Sequence, residues 1–181
     1  VEHVPRVVAA LLLPKRVLGR VVAAELVRPV HGVVALFGAK RLDTVVPVTL
    51  FGVAAGSATT GHRVIAPGTI DLVGTNGLDA YRIALARSGV FLDAKERYAR
   101  LEKLIVALAQ EVGCTVRPDA ALLAELVELV EYPGAVRGTI DERFLELPEE
   151  VLITTLRHHQ KTLVLVNDGG VAPYFIAVSD R

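Results

Sequence analysis

Methionine and tryptophan are both missing from the 181 residues of this chain. Cysteine occurs once, at Cys114. A single thiol excludes an internal disulfide, and no Cys/His spacing suits zinc. Aromatic residues make up only 5%, so the core must be built from Val, Leu, Ile and Ala. No apolar run reaches about 18 residues, which excludes a membrane-spanning helix of ordinary length. The run at residues 7–13 is too short for a span and lacks the flanks of a signal peptide. There is no GxGxxG and no P-loop, so no nucleotide-binding signature and no cofactor is expected. A cytoplasmic setting is consistent with these absences.

What is present describes a globular protein. The hydrophobic fraction is 52% and the charged fraction 22%, ample for a core. The length suits one domain, with or without a helical extension. Net charge is zero but unevenly placed. Residues 1–63 hold eight Lys/Arg against three Asp/Glu, and residues 64–181 hold twelve against seventeen. A basic first third can approach phosphate. The alternative is that its charges pair with the acidic remainder.

Periodicity sets out the elements. Residues 5–13 read as a short helix ended by Pro14. Residues 30–37 and 45–53 read as two apolar strands joined by a turn, the second interrupted by Pro47. Residues 54–68, rich in Gly, Ser and Thr, read as a loop. Residues 77–88 form a helix with Leu78, Tyr81 and Leu85 on one face. Residues 90–92 read as a very short strand. Asp93 and Glu96 then open the clearest helix, where Ala94, Tyr98, Leu101, Ile105, Leu108 and Val112 alternate by four and three. Gly113 stops it. Pro118-Asp119 starts a helix to about residue 131, and residues 135–140 form a strand. Pro148, Glu149 and Glu150 suit the start of a helix running to about residue 157. Asn167-Asp168-Gly169-Gly170 is a hairpin turn between strands at 162–166 and 174–178. Together these predict an α/β or α+β domain, a mixed β-sheet flanked by helices.

Three clusters carry candidate chemistry. Arg157-His158-His159-Gln160-Lys161 lies where a helix gives way to a strand. There Arg157 and Lys161 can meet phosphates, Gln160 can bond a base or ribose, and an imidazole can stack. The competing reading buries one His and uses Arg157 to cap carbonyls. Adjacent histidines diverge on any regular backbone, so they do not ligate one metal. Thr59-Thr60-Gly61-His62-Arg63 offers hydroxyls, a permissive backbone and a cation for an RNA backbone, or a loop folded on itself. Arg28-Pro29-Val30-His31 opens a strand, and Arg28 is either a nucleic-acid contact or half of an ion pair. The candidate RNA-binding residues are therefore Arg28, Thr60, His62, Arg63, Arg157, His158, His159, Gln160 and Lys161. No nucleophile motif accompanies the histidines. Glu125, Glu128 and Glu131 read as a solvated helix edge, and Cys114 as a small residue near a helix end.

The segment Leu147-Pro148-Glu149-Glu150-Val151-Leu152-Ile153-Thr154-Thr155-Leu156-Arg157-His158-His159-Gln160-Lys161 resembles one in the beta subunit of bacterial heterotetrameric glycyl-tRNA synthetase. Three more segments resemble that family in the same order: Val27-Arg28-Pro29-Val30-His31 with residues 33–38, Gly56-Ser57-Ala58-Thr59-Thr60-Gly61-His62-Arg63, and Pro173-Tyr174-Phe175-Ile176-Ala177-Val178-Ser179. The chain departs from the family pattern at Gly32, Leu156, Thr162 and Leu163, where an aromatic, Met and Tyr-Phe are replaced. Rings that could stack on bases are missing there.

The resemblance implies a B3/B4-like domain, similar to that of the phenylalanyl-tRNA synthetase beta subunit, spanning 1–181 with a helical insertion around 77–131. It implies an accessory, non-adenylating part of a glycine–tRNA ligase in the cytoplasm, with tRNA and the alpha subunit as partners and no membrane. The second function class is an editing-type aminoacyl-tRNA deacylase or its inactive relic. The third is an engineered scaffold without activity, since the departures run toward small and aliphatic residues, as in an excised or simplified domain.

Overall fold

The computed structural model describes residues 3–9, 17–18, 25–26 and 30–181. The chain divides into two compact units, Val1–Ser88 and Gly89–Arg181. Among the described residues the strands sort into several small sheets rather than the one sheet expected.

The first unit contains α1 (His3–Ala9), the strand pair β1 (Val17–Leu18) and β2 (Glu25–Leu26), then β3 (Val33–Val34), β4 (Leu36–Phe37), β5 (Thr44–Val45), β6 (Thr49–Leu50), β7 (Val53–Gly56), β8 (Ala58–Thr60), β9 (Thr69–Asp71) and α2 (Gly77–Arg87). Of the helix predicted at 5–13, only residues 5–9 lie within the described residues, inside α1, which starts two residues earlier at His3. The apolar run at 30–37 is split at Ala35, because its two ends serve different partners. β3 lies parallel to β7, and β4 lies antiparallel to β5. Ala35 joins both, donating its N–H to Gly56 and accepting from Val46.

The run at 45–53 does not continue as one strand. It turns at Phe51-Gly52, both at positive φ (52° and 77°), and β6 returns as β7. Two consecutive left-handed residues make a tight hairpin, and Phe is an unusual residue to accept one. The segment at 54–68, expected to be loop throughout, instead supplies β7 and β8, since Ala and β-branched Thr fit a pleated ladder. The loop proper is Gly61 to Gly68. On α2 only Leu85 of the predicted face is buried, and Leu78 is exposed. The buried set among the described residues of this unit is thin: Val48, Leu72, Leu85 and His62.

The second unit is better filled. It contains α3 (Ala94–Gln110), β10 (Thr115–Val116), α4 (Ala120–Val127), β11 (Pro133–Thr139), α5 (Glu149–Thr154), β12 (Leu163–Asn167) and β13 (Gly170–Asp180). Its sheet runs β10-β12-β13-β11, antiparallel throughout. The hairpin forms at Asp168-Gly169, with Asn167 opposite Gly170.

The four/three stripe of α3 faces the core. Leu101, Ile105 and Ala109 are buried against Leu122, Leu126, Leu165 and Ile176, and Cys114 joins this cluster. Each buried aliphatic side chain contributes about 1.5–3 kcal/mol. Asp93 caps the helix by accepting from the Lys95 N–H at 2.8 Å. A second, smaller cluster of Leu152, Leu156 and Val164 lies under α5.

Residues 90–92 are not a strand. Arg97 pins them instead, donating to the Phe91 and Leu92 carbonyls at 2.8 and 3.0 Å. The same guanidinium takes the Val127 carbonyl at 3.0 Å, and α4 ends there, short of the predicted stop at about residue 131. Asp180 then accepts the Glu131 and Tyr132 amides.

Ile105→Asp is expected to lower stability by more than about 3 kcal/mol, because it buries an unpaired carboxylate. Lys103→Asp on the exposed side of α3 should change stability by less than about 0.5 kcal/mol. Urea titrations of both variants check the assignment of faces.

Candidate nucleic-acid interface

The His-His cluster closes α5 in an unusual way. The α-helix stops at Thr154, short of the predicted residue 157, and Thr155–His159 form a π turn. The Gln160 N–H donates to the Thr155 carbonyl, five residues back. Lys161 then takes a left-handed backbone, φ 53°, and Thr162 returns both its N–H and its hydroxyl to the Leu156 carbonyl. The wider turn reseats the five polar residues. Leu156 stays buried while His158, His159 and Gln160 are exposed.

Both cations of this cluster are engaged by acids at the start of α4 and along it. Arg157 makes a forked pair with Asp119: Nε to Oδ2, and Nη2 to Oδ1 at 3.2 Å. Lys161 Nζ sits 2.9 and 3.0 Å from the two carboxylate oxygens of Glu125. The His158 ring lies against Arg157, with Nε2 3.1 Å from Nη1. A guanidinium only donates, so the ring nitrogen facing it is an acceptor.

Asp119 does more than pair. Its Oδ1 also accepts the Leu122 N–H at 2.9 Å and so caps α4. The side chain is 13% exposed. The Arg157 hydrogen bond, chief among the causes, holds its carboxyl below the usual carboxylate range against the opposing push of burial. The Leu122 amide and the charges of Arg157 and Arg117 act in the same lowering direction. Asp119 reciprocally raises Arg157. Pro118-Asp119 reads from the sequence only as a helix start. The second role depends on a residue 38 positions away and leaves no local signal.

The second cluster lies in the first unit. His62 is fully buried. Its Nδ1 accepts from the Val64 and Ile65 amides at 3.3 and 3.1 Å, which folds the loop on itself. Its backbone N–H donates to the Ser88 carbonyl at 2.8 Å. His62 thus shapes the loop from inside, while Thr60 and Arg63 are exposed. The His62–Ser88 bond places the backbones of Arg63 and Arg87 one residue from a shared hydrogen bond. Arg82 and Arg87 are exposed on α2. Sequence reasoning missed this pair, although both occupy the polar side of a helix whose apolar side was read. Arg28, the remaining candidate, lies outside the described residues.

Charge follows the division into units. Val1–Ser88 holds ten Lys/Arg against five Asp/Glu, and Gly89–Arg181 ten against fifteen. Every ion pair among the described residues lies in the second unit: Arg97–Glu128, Arg137–Glu111, Arg143–Asp141, Arg157–Asp119 and Lys161–Glu125. Arg63, Arg82 and Arg87 have no acidic partner among the described residues. Among those residues, no group of three His, Cys, Asp or Glu is placed to hold a metal, and no helix is long and apolar enough to cross a membrane.

Asp119→Asn keeps an acceptor for Leu122 and removes the charge. It is expected to lower Tm near neutral pH. A depressed folded-state pKa stabilises above the unfolded value and is lost as pH falls through the folded one, so the gap to wild type should close below about pH 4. Asp119→Ala also removes the cap and should cost about 1 kcal/mol more. Thermal melts across the acid range check both.

The family relationship follows the ordered segments. The profile of the family described as glycyl-tRNA synthetase beta subunit matches residues 1–181. A glycine–tRNA ligase beta subunit of Shouchella clausii is 38% identical over 172 residues, 94% of this chain and 24% of that protein. One from Chromohalobacter salexigens is 40% identical over 178 residues, 98% of this chain and 25% of that protein. One from Cereibacter sphaeroides is 38% identical over 181 residues, 99% of this chain and 26% of that protein. The chain spans about a quarter of the length of these curated relatives. With matches of this extent, the chain belongs to the glycyl-tRNA synthetase beta subunit family.

Proposed function

We propose that this chain is an accessory, non-adenylating, B3/B4-like part of a glycine–tRNA ligase, and that it contributes tRNA contact through its basic first unit. The observation that carries this reading is the uneven commitment of its cations. A phosphate that approaches Arg157 or Lys161 must compete with a carboxylate already in place. A phosphate that approaches Arg63 meets an exposed guanidinium with no such rival among the described residues.

The contact set on this reading is Arg63, Thr60, Arg82 and Arg87, with hydroxyl and guanidinium donors directed at the sugar–phosphate backbone. His158, His159 and Gln160 form a second, weaker set that would touch a base or ribose by stacking and hydrogen bonds. The relatives are named as glycine–tRNA ligase beta subunits, which makes a glycine-specific tRNA and the alpha subunit the natural partners. The deacylase alternative has less support, because the imidazoles are either folded into a loop, as His62 is, or spread on an open surface.

Removing one phosphate contact reduces the slope of log affinity against log salt by roughly 0.7–0.9. Arg63→Ala with Arg87→Ala should therefore weaken tRNA binding and flatten its salt dependence by about two such steps at unchanged Tm. Lys161→Ala should change the slope by less than one step, and Arg157→Ala should lower Tm more than affinity. Filter binding of tRNA across a salt series, with a melt of each variant, reads all of these. Unaltered affinity and slope in the Arg63/Arg87 variant would move the role of the chain to protein packing.

A further inference from the structure

The stretch Asp141 to Val151 is exposed at every residue, yet its backbone is ordered by consecutive turns. A 3-10 turn over Glu142–Phe144 is capped by Asp141, whose carboxylate accepts the Arg143 N–H at 3.2 Å. Phe144, Leu145 and Leu147 donate to the carbonyls of Asp141, Glu142 and Phe144 in succession, and Val151 to that of Pro148. This fixed surface presents Phe144 at 44%, Leu145 at 36%, Leu147 at 44% and Val151 at 48% exposure. One exposed Leu means little. Four large apolar side chains exposed within eight residues of ordered backbone exceed the singly scattered exposures that need no explanation.

The same stretch is acidic. Asp141, Glu142, Glu146, Glu149 and Glu150 are interleaved along the chain with the four apolar residues, against the single cation Arg143. Arg143 is paired with Asp141 at 3.4 Å and lies over the Phe144 ring at 4.7 Å. That stacking is a local example of what the surface takes: a guanidinium on the ring with a carboxylate beside it. The excess negative charge repels RNA and anionic lipid alike.

We propose that residues 141–151 form a docking surface for a polypeptide segment with Arg or Lys around an apolar centre, supplied by a partner. Charge complementarity selects the basic rim of that segment, and Phe144, Leu145, Leu147 and Val151 supply its apolar seat. This surface belongs to the acidic second unit. It does not depend on the RNA reading of the first.

The test uses the whole chain and three synthetic probes: an amphipathic Leu/Arg peptide, oligoarginine of equal charge, and a Leu/Glu peptide of equal length. Fluorescence anisotropy should show the Leu/Arg peptide bound with an affinity that falls as salt rises, oligoarginine bound about tenfold more weakly or worse, and the Leu/Glu peptide not bound. Phe144→Ser with Leu147→Ser should weaken the Leu/Arg peptide about tenfold or more, the scale of a central anchor. Glu142→Gln with Glu146→Gln should weaken it and flatten its salt dependence without disturbing the turns. Neither variant should change tRNA affinity, which separates this docking surface from the RNA reading. Equal binding of oligoarginine, no binding of the Leu/Arg peptide, or indifference of both variants would overturn the proposal.

Discussion

Asp119 stands where three segments of the second unit meet. It follows β10, caps α4 through Leu122, and forks onto Arg157 in the π turn after α5. The pair is only partly exposed, 31% for the guanidinium side and 13% for the carboxylate, so solvent screens it less than an open surface pair. With Glu125 on Lys161 further along the same helix, α4 holds both ends of the His-His segment. The register of β12 follows, because Thr162, returned to the Leu156 carbonyl, is the residue before that strand begins.

The consequence is electrostatic. A motif dense in cations looks, in one dimension, like a place for phosphate. In three dimensions both full charges are paired with carboxylates, Arg157 in a partly buried fork and Lys161 in an exposed pair, while the imidazoles and the Gln160 amide stand on the surface without such a partner. The first unit differs: excess positive charge in its sequence and, among the described residues, a thin buried set and arginines on a loop and a helix that meet no carboxylate.

Much of the fold was legible because it is local. The stripe of α3 states its own burial in its spacing, the stop at Gly113 needs only a left-handed residue, φ 65°, and Asp168-Gly169 makes a hairpin wherever apolar strands flank it. What failed to show was set by distant partners. Arg97 turned an expected strand at 90–92 into a pinned loop and shortened α4. The split at Ala35 came from two ladders competing for one run. Phe51 at positive φ gives no warning at all. Of the candidate site, the clusters themselves were visible by residue type, and their membership of one family was visible in their order. Which of their charges were free was not, because ion pairs 36 and 38 residues apart have no periodicity to betray them.

Arg97, Arg137 and Arg157 of the second unit are tied to carbonyls or carboxylates of their own unit, while Arg63, Arg82 and Arg87 of the first unit are exposed with no acidic partner among the described residues. Modification of arginine by phenylglyoxal, followed residue by residue with mass spectrometry in the presence and absence of tRNA, tests this division directly. The account predicts that Arg63, Arg82 and Arg87 react fast in the free protein and are protected by tRNA, whereas Arg97, Arg137 and Arg157 react slowly in both. Fast modification of Arg157 in the free protein, together with its protection by tRNA and none at Arg63, would contradict it.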